Sequence, residues 1–287
     1  MKNFKKFATI LLSLVIVSFI AVFFTRPDVK YVIKSLVNGS SSSCELTEIS
    51  IDDAEYKYIP LKNLEYGRNC SFDQSLMLVN KAHPLPTEFE PSLEQYEDTD
   101  ASINKCAIDS FVKMREHIGE RFSKRLLIMS SYRSSEEQLQ IYNNDTDGTA
   151  AKPGCSEHET GLGLDVYIKY YAGKGFIKSE IGQYVNENCD DFGFIIRYPL
   201  GKKSTTGFSY EPWHIRYTGL PHSKIIMQNS LTLEEYLENL KTDCYYSFGD
   251  YIISKQDGDG IIIPEKYDSI VISPDNCGNY IVTIKLK

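Results

Sequence analysis

Two short stretches of this 287-residue chain carry the residue types that hold and use a divalent metal ion. The first, S-E-H-E-T-G-L-G-L-D over residues 156–165, supplies a histidine, two glycines and an aspartate. The second, Y-E-P-W-H-I-R over 210–216, supplies a glutamate and, three residues on, another histidine. Two imidazoles and a carboxylate are a common ligand set for catalytic zinc, with a fourth position left for water. A neighbouring carboxylate that is not a ligand takes that water's proton. His158, Asp165 and His214 are therefore the candidate ligands of one Zn2+, and Glu211 is the candidate base. Either histidine alone reads as an ordinary polar residue. Their conjunction with the glycines, Asp165 and Glu211 is what points to a metal site. The pattern differs from the helix-borne H-E-x-x-H of many metalloproteases.

Such a site needs rigid elements from distant parts of the chain. Beyond Gly161 the period-two pattern predicts a strand, with Leu162, Leu164, Val166 and Ile168 facing the core and Asp165 and Tyr167 on the open face. Gly161 and Gly163 weaken a strand unless something approaches closely there. A strand over 194–198, a loop over 199–207 and a returning strand form a hairpin that places His214 and Arg216 on one face, with Trp213, Ile215 and Tyr217 on the other. Pro212 interrupts the ladder and frees Glu211 to turn toward His214. Upstream, a strand over 126–131 leads to Arg133 at a turn. Ser134-Ser135-Glu136-Glu137 then opens a helix by a capping box, with Gln138 about one turn inside. Ile103, Ala107, Phe111, Met114 and Ile118 make one apolar face of a helix over 100–118, capped by Asp100. Further helices are predicted over 180–191 and 232–240. An arginine at a turn is ordinarily solvated, and His83 ahead of Pro84 reads as structural.

The composition is that of a globular protein, with 42% hydrophobic and 24% charged residues, a net charge of −8 and a pI of about 5.3. No basic stripe is present, which argues against nucleic acid as a partner. An anionic substrate would have to be held by local cations, because the overall field is acidic. Lys2, Lys5 and Lys6 precede an apolar run over 7–24 that is just long enough to span a bilayer. Bulky Val22, Phe23 and Phe24 make a poor cleavage site, which favours an uncleaved anchor over a signal peptide. The expected organisation is a cytoplasmic tail (1–6), a transmembrane anchor (7–24), a stalk (25–60), a zinc domain (61–243) and a small β appendage of three or four strands (244–287). The bulk of the chain then lies outside the cytoplasm, attached to the membrane by one helix. Seven cysteines without a C-x-x-C exclude a cysteine-rich zinc site and leave disulfide pairing open.

The combination S-x-H-x-x-G-x-x-x-D followed by E-P-W-H resembles the zinc D-alanyl-D-alanine carboxypeptidases of the VanY type. L-V-N-K-A-H-P-L-P (78–86), S-S-Y-R-S (130–134), K-P-G-C-S-E-H-E-T-G (152–161), G-F-I-I-R-Y-P-L-G-K (193–202) and Y-E-P-W-H-I-R-Y-T-G (210–219) fit in order. The resemblance implies an α+β fold in which a small antiparallel sheet, flanked by helices, carries the zinc. It implies His158, Asp165 and His214 as ligands, Glu211 as catalytic base and Arg133 as the transition-state or carboxylate-binding arginine. It matches Gln138 and Ser156 to positions holding the substrate's terminal carboxylate. The implied partners are bacterial peptidoglycan stem peptides or their precursors. An L,D-carboxypeptidase acting on tetrapeptides, a peptidoglycan endopeptidase and a non-catalytic wall-binding module are the alternatives. Two positions depart from the family pattern: Gly163 stands where alanine is usual, and Cys155 lies three residues before a ligand.

Overall fold

The computed structural model describes residues 45–52, 55–64, 69–97 and 99–287, together with 26, 28, 29, 31 and 33. The apolar run 7–24 expected as an anchor lies outside the described residues. Among the described residues no helix is long and apolar enough to cross a membrane.

The chain begins with three short strands, β1 (Thr47–Ile49), β2 (Tyr56–Pro60) and β3 (Cys70–Phe72). A small hairpin, β4 (Leu93–Gln95) and β5 (Ser102–Asn104), leads into helix α1 (Lys105–Phe122). The helix therefore starts later than Asp100, because 102–104 are committed to the hairpin. The Asn104 side chain accepts from the Cys106 amide as the cap. Ala107, Phe111, Met114 and Ile118 form its buried face, as the spacing predicts. Then come β6 (Leu127–Ser130), α2 (Ser135–Asn144), β7 (Gly163–Tyr167), α3 (Glu180–Asn188), β8 (Phe194–Ile196), the short α4 (Lys203–Thr206) and β9 (His214–Tyr217). Ser134 and Glu137 close the predicted capping box on α2.

Four strands form an antiparallel sheet in the order β6-β7-β9-β8. One face packs on α1 and α3 through Leu164, Val166, Phe194, Ile215, Phe111 and Ile181. The other face carries the polar residues of the two sequence stretches. This is the mixed helix-and-sheet fold with a small antiparallel sheet that the motifs imply.

The last third of the chain is larger than a three- or four-stranded appendage. After α5 (His222–Gln228) and α6 (Leu233–Asn239) come five strands, β10 (Cys244–Phe248), β11 (Tyr251–Gln256), β12 (Gly260–Pro264), β13 (Ser269–Pro274) and β14 (Tyr280–Lys285). The six-stranded sheet β1-β10-β11-β14-β13-β3 and the pair β12-β2 both take strands from the N-terminal segment. The stretch expected as a stalk up to residue 60 thus contributes β1 and β2. Single-segment periodicity carries no sign of this, because the partners lie about two hundred residues away. Ile225, Tyr236 and Leu237 share one core with Tyr246, Ile253 and Ile281. The buried His222 ring bridges the Tyr236 hydroxyl (2.6 Å) and the Thr283 hydroxyl of β14 (2.7 Å). The six described cysteines at 70, 106, 155, 189, 244 and 277 are free thiols.

This shared core predicts that residue 243 is not a usable domain boundary. A chain ended after Asp243 would expose Ile225, Tyr236 and Leu237 and is expected to lose its cooperative thermal transition, checked by circular dichroism against the full chain.

Candidate metal centre

The sheet pairs Asp165 of β7 directly with His214 of β9. A register shift between Ile128 and Ser130 sets Ser130 of β6 opposite Asp165 from the other side. His158 reaches the same place from a single 3-10 turn, Glu157–Thr160. That turn ends at Gly161 with φ +69, and a Cβ there would meet Leu93 Cδ2 at 2.6 Å and the Asn104 amide nitrogen at 2.9 Å. Gly161 is thus required by both its backbone and its surroundings. Gly163 is a milder case. A Cβ would stand 3.1 Å from Glu157 Cβ and 3.2 Å from His214 Nε2, so an alanine fits if its neighbours give by a few tenths of an ångström.

His158, Asp165 and His214 each offer one ligand atom, and these atoms lie within 4.8 Å of one another. His158 Nδ1 donates to the Ser131 carbonyl at 2.8 Å, which leaves Nε2 facing Asp165 Oδ2 at 3.5 Å. His214 Nδ1 stands 3.0 Å from Asp165 Oδ1, and its Nε2 points away, 3.7 Å from Glu157 Oε2. Burial pushes the His158 imidazole below its ordinary pKa, against the pull of Asp165. Burial acts the same way on His214, but Asp165 and Glu157 override it and raise the ring to about 9. Burial opposes ionisation of Asp165 too, yet the two imidazoles hold it below the usual carboxylate range. Two neutral-capable nitrogens and one ionised oxygen, converging without another protein donor between them, fit a tetrahedral N,N,O site such as zinc prefers.

Glu211 precedes β9 on an irregular segment fixed by its own amide, which donates to the Tyr198 carbonyl, and by its carbonyl, which accepts from the His214 amide. Burial raises its carboxyl above the ordinary value, His214 opposing. The Arg133 amide donates to the His158 carbonyl at 3.2 Å, so the arginine is anchored to the same turn. Its Nε is buried without a partner. Ser156 is buried at the head of the turn, and its hydroxyl makes no hydrogen bond among the described residues.

Gln138 lies deeper than Ser156. It is 1% exposed, its amide donates to the Ala151 carbonyl at 2.7 Å, and it lines neither cavity beside the site. Its amide holds the loop that carries Ala151, and its Oε1 is buried without a hydrogen-bond partner.

The residue that the motifs did not single out is Glu157. It is wholly buried, and Arg197 Nε donates to its Oε1 at 2.7 Å, with Arg216 Nε at 3.3 Å. Burial opposes its charge, but the two guanidinium groups hold it well below the usual carboxylate range. Its other oxygen, Oε2, has no hydrogen-bond partner and faces the equally unpartnered His214 Nε2. A proton on that nitrogen is attracted by Glu157, so the proton that a bound metal would displace is the one on Nδ1, the atom turned toward Asp165. Glu157 thus supplies a negative charge on the side of the His214 ring away from Asp165. Sequence gave one usable signal: an acidic residue beside a ligand, with arginines at 197 and 216 inside otherwise apolar strands.

The profile of the VanY family, D-alanyl-D-alanine carboxypeptidase, matches residues 100–220. A putative carboxypeptidase of Bacillus subtilis (strain 168), YodJ, is 32% identical over 238 residues, 76% of this chain and 86% of that protein. Among solved structures, the vancomycin-resistance D,D-dipeptidase VanXYg in complex with a D-Ala-D-Ala phosphinate analogue aligns with TM-score 0.67 at 30% identity, over 80% of this chain and 99% of its own. A VanY D,D-pentapeptidase in complex with Zn(II) aligns with TM-score 0.51 at 31% identity, over 57% and 98%. Fold and site define a peptidase-like scaffold with a His-Asp-His metal-binding group. The chain belongs to the VanY family of D-alanyl-D-alanine carboxypeptidases.

Two substitutions test the local geometry. Gly161→Ala is expected to destabilise the protein by about 1–3 kcal/mol, visible as a lower Tm, because a non-glycine residue there is strained and overlaps its neighbours. Glu157→Gln leaves two buried guanidinium groups with too little counter-charge, at a cost of about 3–5 kcal/mol. It should also weaken metal retention about 10–100-fold in competition with a chromophoric chelator.

Proposed function

We propose that this chain is a zinc-dependent D,D-carboxypeptidase that releases the C-terminal D-alanine from peptidoglycan stem pentapeptides or their precursors. The observation that carries the reading is the convergence of His158, Asp165 and His214 on the open face of the two central strands, with the carboxylate of Glu211 on the segment leading into β9. Family membership supports the substrate class.

His158 Nε2, an Asp165 oxygen and His214 Nδ1 would hold the metal. A zinc ion bound there supplies Lewis acidity, lowering the pKa of water and polarising a carbonyl oxygen. The protein's own groups do the rest. The Glu211 carboxylate takes the proton of the attacking water and delivers it to the amine of the departing residue. Its raised pKa makes it a better proton carrier near neutrality than an exposed glutamate. Arg133, fixed to the His158 turn and short of hydrogen-bond partners, meets the developing oxyanion or the substrate's terminal carboxylate. The Ser156 hydroxyl offers a donor to the same carboxylate. The site is placed outside the cytoplasm, with the apolar run 7–24 as a single membrane anchor. That placement rests on the three lysines preceding an uncharged run.

Incubation of the zinc-loaded protein with defined pentapeptide is expected to release D-alanine alone, by mass spectrometry, and chelation should abolish the release. Loss of D-alanine from tetrapeptide but not pentapeptide would establish L,D specificity instead. Cleavage within an intact cross-link would mark an endopeptidase. Glu211→Gln should keep fold and zinc while lowering kcat about 10²–10⁴-fold. Parent-level activity in that variant would overturn the mechanism.

A further inference from the structure

The cleft of this acidic chain is rimmed by cations with no anionic partner. A cavity of about 370 Å³ opens beside Glu211, lined by Lys81, Lys152 and Lys203, with Tyr142 and Phe208 among its walls. Glu211 is the one acidic residue in that lining. None of the three lysines forms an ion pair among the described residues, whereas Lys202, next to Lys203, is held by Glu235 at 2.9 Å. Lys224, Lys241 and Lys255 also face a carboxylate, while surface lysines such as Lys113 and Lys124 do not among the described residues, so it is the sharing of one cavity that sets these three apart. A fourth cation, Lys174, lies close enough to Glu211 to favour its ionised form.

The three lysines come from three separate segments, and each segment is pinned. Asn276 Nδ2 donates to the carbonyls of Leu78, His83 and Pro84, on either side of Lys81. Within that turn, Asn80 Oδ1 accepts from the amides of Ala82 and His83. Gln138 holds the Ala151 carbonyl and Glu159 accepts from the Gly154 amide, bracketing Lys152. The Leu85 amide donates to the Gly154 carbonyl at 2.7 Å and ties these two loops together. Lys203 opens α4 directly after the clamped Lys202. The backbones are thus fixed while the ammonium groups remain free to reach into one space. Three like charges set around one cavity, with a single carboxylate among them and no counter-ion from the fold, make a local positive field in a chain of net charge −8.

We propose that this cavity is a subsite for an anionic group, a carboxylate carried by the substrate peptide upstream of the bond to be cut. The inference rests on the carboxypeptidase reading and narrows its substrate. Arg133 lines an adjoining cavity with Glu137 and Asp145, which meets the lysine-lined one at Thr149 and Ala150 and leaves the lysine-lined space for the acyl side of the peptide. Tyr142 and Phe208 offer apolar surface to its aliphatic parts.

Two pentapeptides that differ only in a γ-linked glutamate, as free α-carboxylate or as carboxamide, test it on the zinc-loaded full chain. The acid is expected to be preferred about five- to tenfold in kcat/KM, through KM, as befits a few exposed ion pairs. The preference should shrink as salt is raised. In the triple variant Lys81→Met, Lys152→Met, Lys203→Met, the acid-to-amide ratio should fall to about one. A ratio near one in the parent, or a preference that survives in the triple variant, overturns the subsite. If neither peptide loses its terminal residue, it is the carboxypeptidase reading that fails. The subsite is then read by equilibrium binding of the same two peptides: acid-selective binding lost in the triple variant supports it, and equal binding overturns it.

Discussion

The site depends on keeping one carboxylate ionised in a place without water. Glu157 has no exposed surface, and an isolated carboxylate there would cost several kcal/mol or become protonated. Arg197 and Arg216 prevent that, and they are equally buried. Two guanidinium groups on one carboxylate would in turn leave an excess positive charge. Glu234 removes it, accepting from both terminal nitrogens of Arg197 at 2.7 and 2.8 Å. The set of four is electrically neutral, which is the condition under which buried ions are tolerated. Replacing all four by apolar residues would serve stability as well or better. What apolar residues would not supply is a fixed negative charge behind His214. The network is better explained by that charge than by the stability of the fold.

How much of this was legible beforehand follows from how local each signal is. The meeting of His158, Asp165 and His214, and the turn that carries Arg133, were readable because their residue types sit in short, dense motifs. The core face of α1 and the alternation along β7 were readable because burial imposes a period on adjacent residues. The capping box at Ser134 was readable from its own four residues. The pairing of β1, β2 and β3 with the C-terminal strands was not, since nothing within 47–72 names a partner beyond 240. What covers Gln138 was not legible, because helical position gives the face of a side chain and not what lies on it. Here the covering element is the 146–155 loop, which has no period of its own. Glu157 was hidden by its neighbours: a glutamate beside a ligand reads as solvated until two arginines from separate strands are seen to meet it.

The C-terminal sheet, outside the metal-binding strands, nonetheless shapes the cleft. Arg216 of β9 donates to the Met77 carbonyl, and the Leu76 amide donates to the Ser273 hydroxyl of β13. The segment carrying Lys81 is therefore suspended between the catalytic sheet on one side and the β13–β14 turn on the other, where Asn276 grips it. Asn80 closes the circuit by donating to Glu234, the last member of the buried charge set. The metal-binding group and the rim thus share Arg216 and Glu234 as supports but sit on different kinds of element. Asp165 and His214 sit on paired strands, with ladder hydrogen bonds holding the donor atoms to the tolerance that coordination demands. Lys81, Lys152 and Lys203 sit on loops and a single helical turn, held at the backbone by side-chain hydrogen bonds. The lysine side chains take no part in those ties, so they can change while the backbone that links rim and metal ligands stays in place.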